Sequence, residues 1–151
     1  NIGIADSNTV AMAYITTPAT TNVTSGVDVP IAGTFTAQGN TERATVSASG
    51  EITFLNIEEE KGLVNLTFTA NKIGGGTGIY IFKVQKSPLG SGFVDVEGVV
   101  KTVSLTSGVI SSITLMGIAK YKDTDVFRVT VQGSGTSDDI DVDVTQFVIG
   151  S

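Results

Sequence analysis

Short runs of alternating apolar and polar residues fill this chain, separated by clusters of Gly, Asn, Asp and Ser. Val10, Met12 and Tyr14 alternate ahead of Thr17-Pro18. That spacing predicts a first strand, ended where proline removes a backbone donor. Val27, Val29 and Ile31 alternate next, and Pro30 places that piece at an edge or bend. Residues 34–36 around Phe35 make a short strand, closed by Gln38-Gly39-Asn40. Residues 43–48 and 51–56 read as a hairpin over Ser49-Gly50, with Ile52 and Phe54 on one face. Glu58-Glu59-Glu60-Lys61-Gly62 is an acidic turn with room for at most one helical turn.

The clearest amphipathic strand follows, with Val64, Leu66, Phe68 and Ala70 on one face. Residues 71–78 (N-K-I-G-G-G-T-G) read as a mobile hairpin tip. Tyr80, Phe82 and Val84 share the next face, with Lys83 opposite, and 87–92 is a loop. Segments 93–105 and 109–121 flank a Thr106-Ser107-Gly108 turn. The uncharged run 102–119 approaches the length of a membrane span. Its central turn instead predicts a hairpin of two strands. Asp123 and Asp125 flank a tight turn into 126–132, the loop 133–139 follows, and 140–149 closes the chain. About ten strands with turn signals between them predict an all-β antiparallel two-sheet sandwich, with a jelly roll as its natural form. No linker divides residues 1–151, so one domain is expected.

Composition sharpens this. Val, Ile and Thr supply 54 of 151 residues, whereas Leu supplies 6. β-Branched side chains lose rotamer freedom in helices and fit a pleated sheet. The absence of Cys, His and Trp removes disulfide scaffolds, zinc fingers and every Ser-His or Cys-His device. A net charge of −6 gives no electrostatic basis for binding nucleic acid or an anionic membrane surface. Residues 7–27 and 29–41 are as free of charge as 102–119. So much uncharged surface asks for a partner, and a second copy of the chain is the simplest.

Candidate chemistry is sparse. Gly74-Gly75-Gly76-Thr77-Gly78 runs into a strand, so it lacks the helix a phosphate loop needs. Asp138 and Asp139 have the oxygen chemistry for calcium, but Asp141 and Asp143 alternate with Ile140, Val142 and Val144 as a solvated strand face does. Glu58, Glu59 and Glu60 with the C-terminal aspartates could pair for glycoside hydrolysis, yet no Trp platform accompanies them. No catalytic residue, cofactor or metal is assigned. Arg128 stands out: Phe127, Val129 and Val131 fill one strand face, and Val126, Arg128 and Thr130 the other. Against another subunit, Arg128 would need a carboxylate or a bound anion.

The order of these strands carries a resemblance. Gly33-Thr34-Phe35-Thr36 precedes Val46-Ser47-Ala48-Ser49-Gly50-Glu51-Ile52-Thr53-Phe54. Near the end come Tyr121-Lys122-Asp123-Thr124-Asp125-Val126-Phe127-Arg128-Val129-Thr130-Val131, a Gly-rich loop and a hydrophobic strand. From about Ile31 onward the chain resembles the jelly-roll heads related to tumour necrosis factor and the complement globular head, a form that also caps phage tail fibres and needles. It lacks the aromatic-rich core positions and the disulfide of animal members, and the phage-type branch fits better.

The resemblance implies a homotrimer packed by its inner sheets around a threefold axis, with both chain ends near one pole. Agreeing with this, the first 42 residues hold no Lys or Arg and 144–151 hold no charge. The chain opens at Asn1, so it is expected to be part of a longer protein, with residues 1–8 as the end of a stalk. The implied role is a non-enzymatic knob of a tail needle or fibre in the virion, made in the host cytoplasm. It would contact a host surface glycan or envelope component, without nucleic acid and without a membrane span. Loops on a rigid sandwich carry recognition, so Lys72, Thr77, Ser87, Ser91, Ser134 and Asp138 are the expected contacts. The alternatives are a monomeric carbohydrate-binding module and an adhesin or pilin-like structural domain.

Overall fold

In a computed structural model, residues 10–39, 41–88 and 91–150 are described. Asn40, part of the loop 87–92 and residues 1–8, expected as the end of a stalk, lie outside the described residues. The strands in chain order are β1 (Val10–Pro18), β2 (Thr20–Thr21), β3 (Val29–Pro30), β4 (Gly33–Ala37), β5 (Ala44–Val46), β6 (Ile52–Phe54), β7 (Glu60–Lys72), β8 (Thr77–Ser87), β9 (Val94–Thr106), β10 (Ser111–Tyr121), β11 (Val126–Ser134) and β12 (Ile140–Gly150). One sheet runs β10-β7-β12-β1-β4, with β2 also on β12. The other runs β5-β6-β11-β8-β9, with β3 also on β11. Every pairing between these strands is antiparallel. The all-β two-sheet jelly roll expected from the sequence is the observed fold. β3 is the short piece expected around Pro30, and β2 is unexpected because two residues are too few to show a period.

The core forms where the inner faces meet. Val64, Leu66, Phe68 and Ala70 of β7 are buried, and so are Tyr80, Phe82 and Val84 of β8. Phe68 meets Phe82 across the layers with ring centroids 4.6 Å apart. Phe54 stacks on Tyr121 at 4.4 Å, and Phe127 meets Phe54 edge-on at 5.8 Å. Each such buried ring removes enough apolar area from water to stabilise the fold by about 2–3 kcal/mol.

Two expected hairpins are corrected. The turn after Thr106 does not join paired strands: β9 pairs with β8, while β10 pairs with β7 in the other sheet. The glycine-rich tip likewise crosses between layers, from β7 to β8. Sequence spacing gives the turns but not whether the chain changes sheet. The hairpin from β5 to β6 is as expected, with Val46 opposite Ile52. Residues 57–59 form no helical turn.

β9 closes the open side of the sandwich. Its register against β8 shifts between Lys83 and Gln85, and Gly98 within the bulge has φ +83°. The bulge lays Val99 over Gly117 of β10, where a Cβ would stand 2.5 Å from the valine methyl. Only glycine fits there without displacing Val99.

Candidate functional site

β1 reverses the usual arrangement of an amphipathic strand. Its buried side is Ala11, Ala13 and Ile15. Its larger members Val10, Met12 and Tyr14, which the sequence marks as the alternating set, face away from the core and are half-buried. β10 buries an ordinary apolar face of Ile113, Leu115, Ala119 and Tyr121, yet on its other face Met116 is 59% exposed and Ile118 is also exposed. The registers line these residues up. Met116 is opposite Asn65, Asn65 opposite Val148, and Val148 opposite Met12. In the adjoining row Ile118 is opposite Leu63, Leu63 opposite Gly150, and Gly150 opposite Val10. Two uncharged rows thus cross four strands of the first sheet on its outer side. Lys61 and Lys120, directly opposite each other, bound this patch at one end, and Asp141 and Asp143 lie toward the other. A shallow apolar hollow of about 380 Å³ lined by Lys61, Gly62, Leu63, Ile118 and Gly150 lies within it.

The same registers fix the poles. Val10 pairs with Gly150 at one end of β12, so the two described chain ends are neighbours. At the other end of β12, Ile140 pairs with Lys72. Loops 71–78 and 133–139 therefore share the pole opposite the chain ends, and Ser87 and Ser91 lie at the near pole.

Individual contact candidates divide accordingly. Thr77, Ser134 and Asp138 are exposed at the far pole, and Ser91 is exposed at the near one. Lys72 and Ser87 are each 2% exposed and offer no surface for contact, which corrects the expectation for both. The Lys72 ammonium donates to the Gly74 and Gly75 carbonyls at 3.3 and 2.7 Å and lies 2.9 Å from Asp138 Oδ2. Ser87 Oγ accepts from the Gly92 amide at 3.0 Å, holding its own loop. Lys72 falls on the core face in the alternation with Val64, Leu66, Phe68 and Ala70. That period was the signal available in the sequence.

Arg128 lies on the outer side of the second sheet, as expected from its strand, with Thr130 beside it. It is therefore on the layer opposite the uncharged rows. Its Nε donates to Gln85 Oε1 at 3.1 Å, and its guanidinium lies 3.9 Å over the Phe93 ring. Gln85 Nε2 in turn donates to Asp28 Oδ2 and Asp95 Oδ1, each at 3.0 Å. Lys83 bridges the same two carboxylates at 3.2 and 3.1 Å. The hydrogen bond from Gln85, reinforced by Lys83, holds the Asp95 carboxyl below its ordinary value against the opposing effect of burial. Burial pulls Lys83 down, but Asp95 and Asp28 outweigh it and leave the ammonium raised. The sequence marked Arg128 but missed Gln85, Asp28 and Phe93, which come from three separate segments.

The acidic residues have separate duties. Asp138 pairs with Lys72, Asp139 Oδ1 accepts from the Val23 amide at 3.1 Å, and Asp141 Oδ1 accepts from Thr20 at 2.8 Å. Among the described residues no three acidic side chains converge on a common point. Asp125 caps its own turn, its Oδ2 accepting from the Lys122 amide at 3.0 Å. No helix among the described residues is long and apolar enough to cross a membrane.

No family model matches this chain, and no curated protein matches it. Solved structures do. The Eiger TNF of S. frugiperda superposes with a TM-score of 0.56 at 11% identity, covering 95% of this chain and 90% of that one. Murine APRIL at pH 5.0 gives 0.55 at 8% identity, covering 91% and 98%. At these identities the likeness establishes a TNF-like jelly-roll fold.

Proposed function

We propose that this domain is a non-enzymatic homotrimeric knob at the tip of a phage tail needle or fibre, contacting or helping to penetrate the host envelope. One observation carries the assembly: Met12 and Tyr14 of β1 and Met116 and Ile118 of β10 all point out of the sandwich on the same sheet face. A sheet face turned to water would carry polar side chains at these outward positions. The opposite choice is sensible when a second layer covers that face. A neighbouring copy is such a layer, and the TNF-like fold supports a threefold arrangement.

Polarity supports the knob. The described ends share one pole, so a stalk attached there presents the other. Three copies on one stiff presenter raise the effective concentration of weak contacts for a surface glycan or envelope component.

Light scattering tests the assembly. The trimer gives about 47 kDa, three times the 15.6 kDa chain. Met116→Glu supplies the second arm. In an isolated chain this exposed position tolerates charge within about 0.5 kcal/mol, whereas in the trimer three buried carboxylates drive dissociation. A stable 15.6 kDa species at micromolar concentration would overturn the reading and favour a monomeric module.

A further inference from the structure

The far pole is a cross-braced surface. Ile73 N donates to Asp139 O at 2.9 Å, Ser107 N to Gly76 O at 3.0 Å, and Gly26 N to Gly133 O at 2.9 Å. The Tyr80 hydroxyl donates to Asp138 O at 2.9 Å, and burial raises its pKa, so it stays a donor. The Lys72 ammonium draws in the glycine tip from beneath. Connections 73–76, 107–110 and 135–139 and the segment 22–26 are thereby tied together. Their arrangement exists before any partner arrives, which lowers the ordering cost of binding.

The exposed chemistry of this pole is of two kinds. Ile73, Val109 and Ile110 are all exposed, Ile110 to 71%. A bridge between Lys72 and Ser107 sets the turns carrying them side by side. Beside them lie Asp138, Asp139, Asp141 and Asp143. Of the chain's nine Lys and Arg, only Lys72 belongs to this pole, and it is buried against Asp138. The surface is therefore aliphatic with an exclusively negative exposed charge.

We infer that this pole docks a protein segment in which basic side chains alternate with aliphatic ones. The aliphatic groups would cover Ile73, Val109 and Ile110 and supply affinity. The basic groups would face the aspartates and supply orientation and on-rate. The same charges repel phosphate-bearing glycans and anionic lipid. The inference rests on the knob reading for the direction in which this pole points.

Fluorescence anisotropy with two labelled peptides of equal length, one of Leu and Lys and one of Leu and Glu, tests it on the intact protein. The Leu/Lys peptide should bind; the Leu/Glu peptide and vesicles rich in phosphatidylglycerol should not. The pair Ile73→Ser and Ile110→Ser should weaken binding on the order of tenfold or more. Asp141→Asn with Asp143→Asn should weaken it too. Glu58→Gln with Glu59→Gln removes equal charge at the near pole and should leave binding unchanged. Equal weakening by that control pair, or no binding of the Leu/Lys peptide, overturns the inference, as does preference for vesicles or the acidic peptide. Light scattering of the same samples separates the two claims. A trimer that fails to bind ends the docking surface alone, and a monomer that binds ends the knob alone.

Discussion

The Lys72 ammonium stands 2.9 Å from Asp138 Oδ2, an ion pair whose lysine end is buried while the aspartate end is 54% exposed. Two glycine carbonyls complete the ammonium's shell. The charge cannot be removed without leaving those acceptors and Asp138 short of a donor. Breaking a buried pair costs about 3–5 kcal/mol, and partial rehydration of Asp138 moves the expectation toward the lower end. Lys72→Met should therefore lower stability by about 3 kcal/mol, read as a shift of the urea midpoint at constant slope. Asp138→Asn should cost clearly less, because the glycine carbonyls keep their donor. A wild-type midpoint for Lys72→Met would show that the clasp contributes nothing.

Gly117 tests the closure of the sandwich. An added Cβ there meets the Val99 side chain, and overpacking of this kind costs about 1–3 kcal/mol. Gly117→Ala should destabilise by that amount. Because the obstacle is one methyl-bearing side chain, the double change with Val99→Ala should cost less than the sum of the single changes. Strict additivity in thermal unfolding would place the strain elsewhere.

Arg128 is held by one hydrogen bond and one aromatic face. Arg128→Ala should cost about 1–2 kcal/mol, combining a hydrogen bond with a cation–π contact. Arg128→Lys keeps the charge but not the planar guanidinium over Phe93, and should recover less than half of the loss. A cycle with Phe93→Leu should reveal a coupling of about 0.5–1 kcal/mol. If lysine restores full stability, charge alone matters at this position.

The Lys83–Asp95 pair sets limits on both sides of neutral pH. Asp95 is lowered; its contribution is present above the ordinary carboxylate range and is lost as pH falls below about 4 through the lowered value. Lys83 is raised; its contribution is present below the ordinary lysine range and is lost as pH climbs above about 10.5. Melting temperatures measured against pH should fall at both extremes. Asp95→Asn should flatten part of the acid limb and Lys83→Met part of the alkaline one. Unchanged slopes in both variants would mean that other groups govern the pH response.

The residues carried the local structure almost alone. The alternation of Val64, Leu66, Phe68 and Ala70, of Tyr80, Phe82 and Val84, and of Phe127, Val129 and Val131 each identified a strand and its buried face, because a pleated strand sends successive side chains to opposite sides. What alternation cannot carry is which face of a doubly apolar strand turns inward. In β1, Ala11 and Ala13 compete with Met12 and Tyr14 for the core, and the packing opposite them selected the smaller pair. Nor does it carry sheet membership: β9 and β10 are consecutive, yet each pairs with a strand in a different layer. Those two choices depend on contacts between residues far apart in the chain. They made the uncharged outer rows and brought Lys72, Asp138 and three connections to one pole. The sequence determined that this is an antiparallel β sandwich with little charge at its start and finish; only the tertiary pairing decided where that missing charge lies, because register and layer are set by long-range hydrogen bonds that no local period encodes.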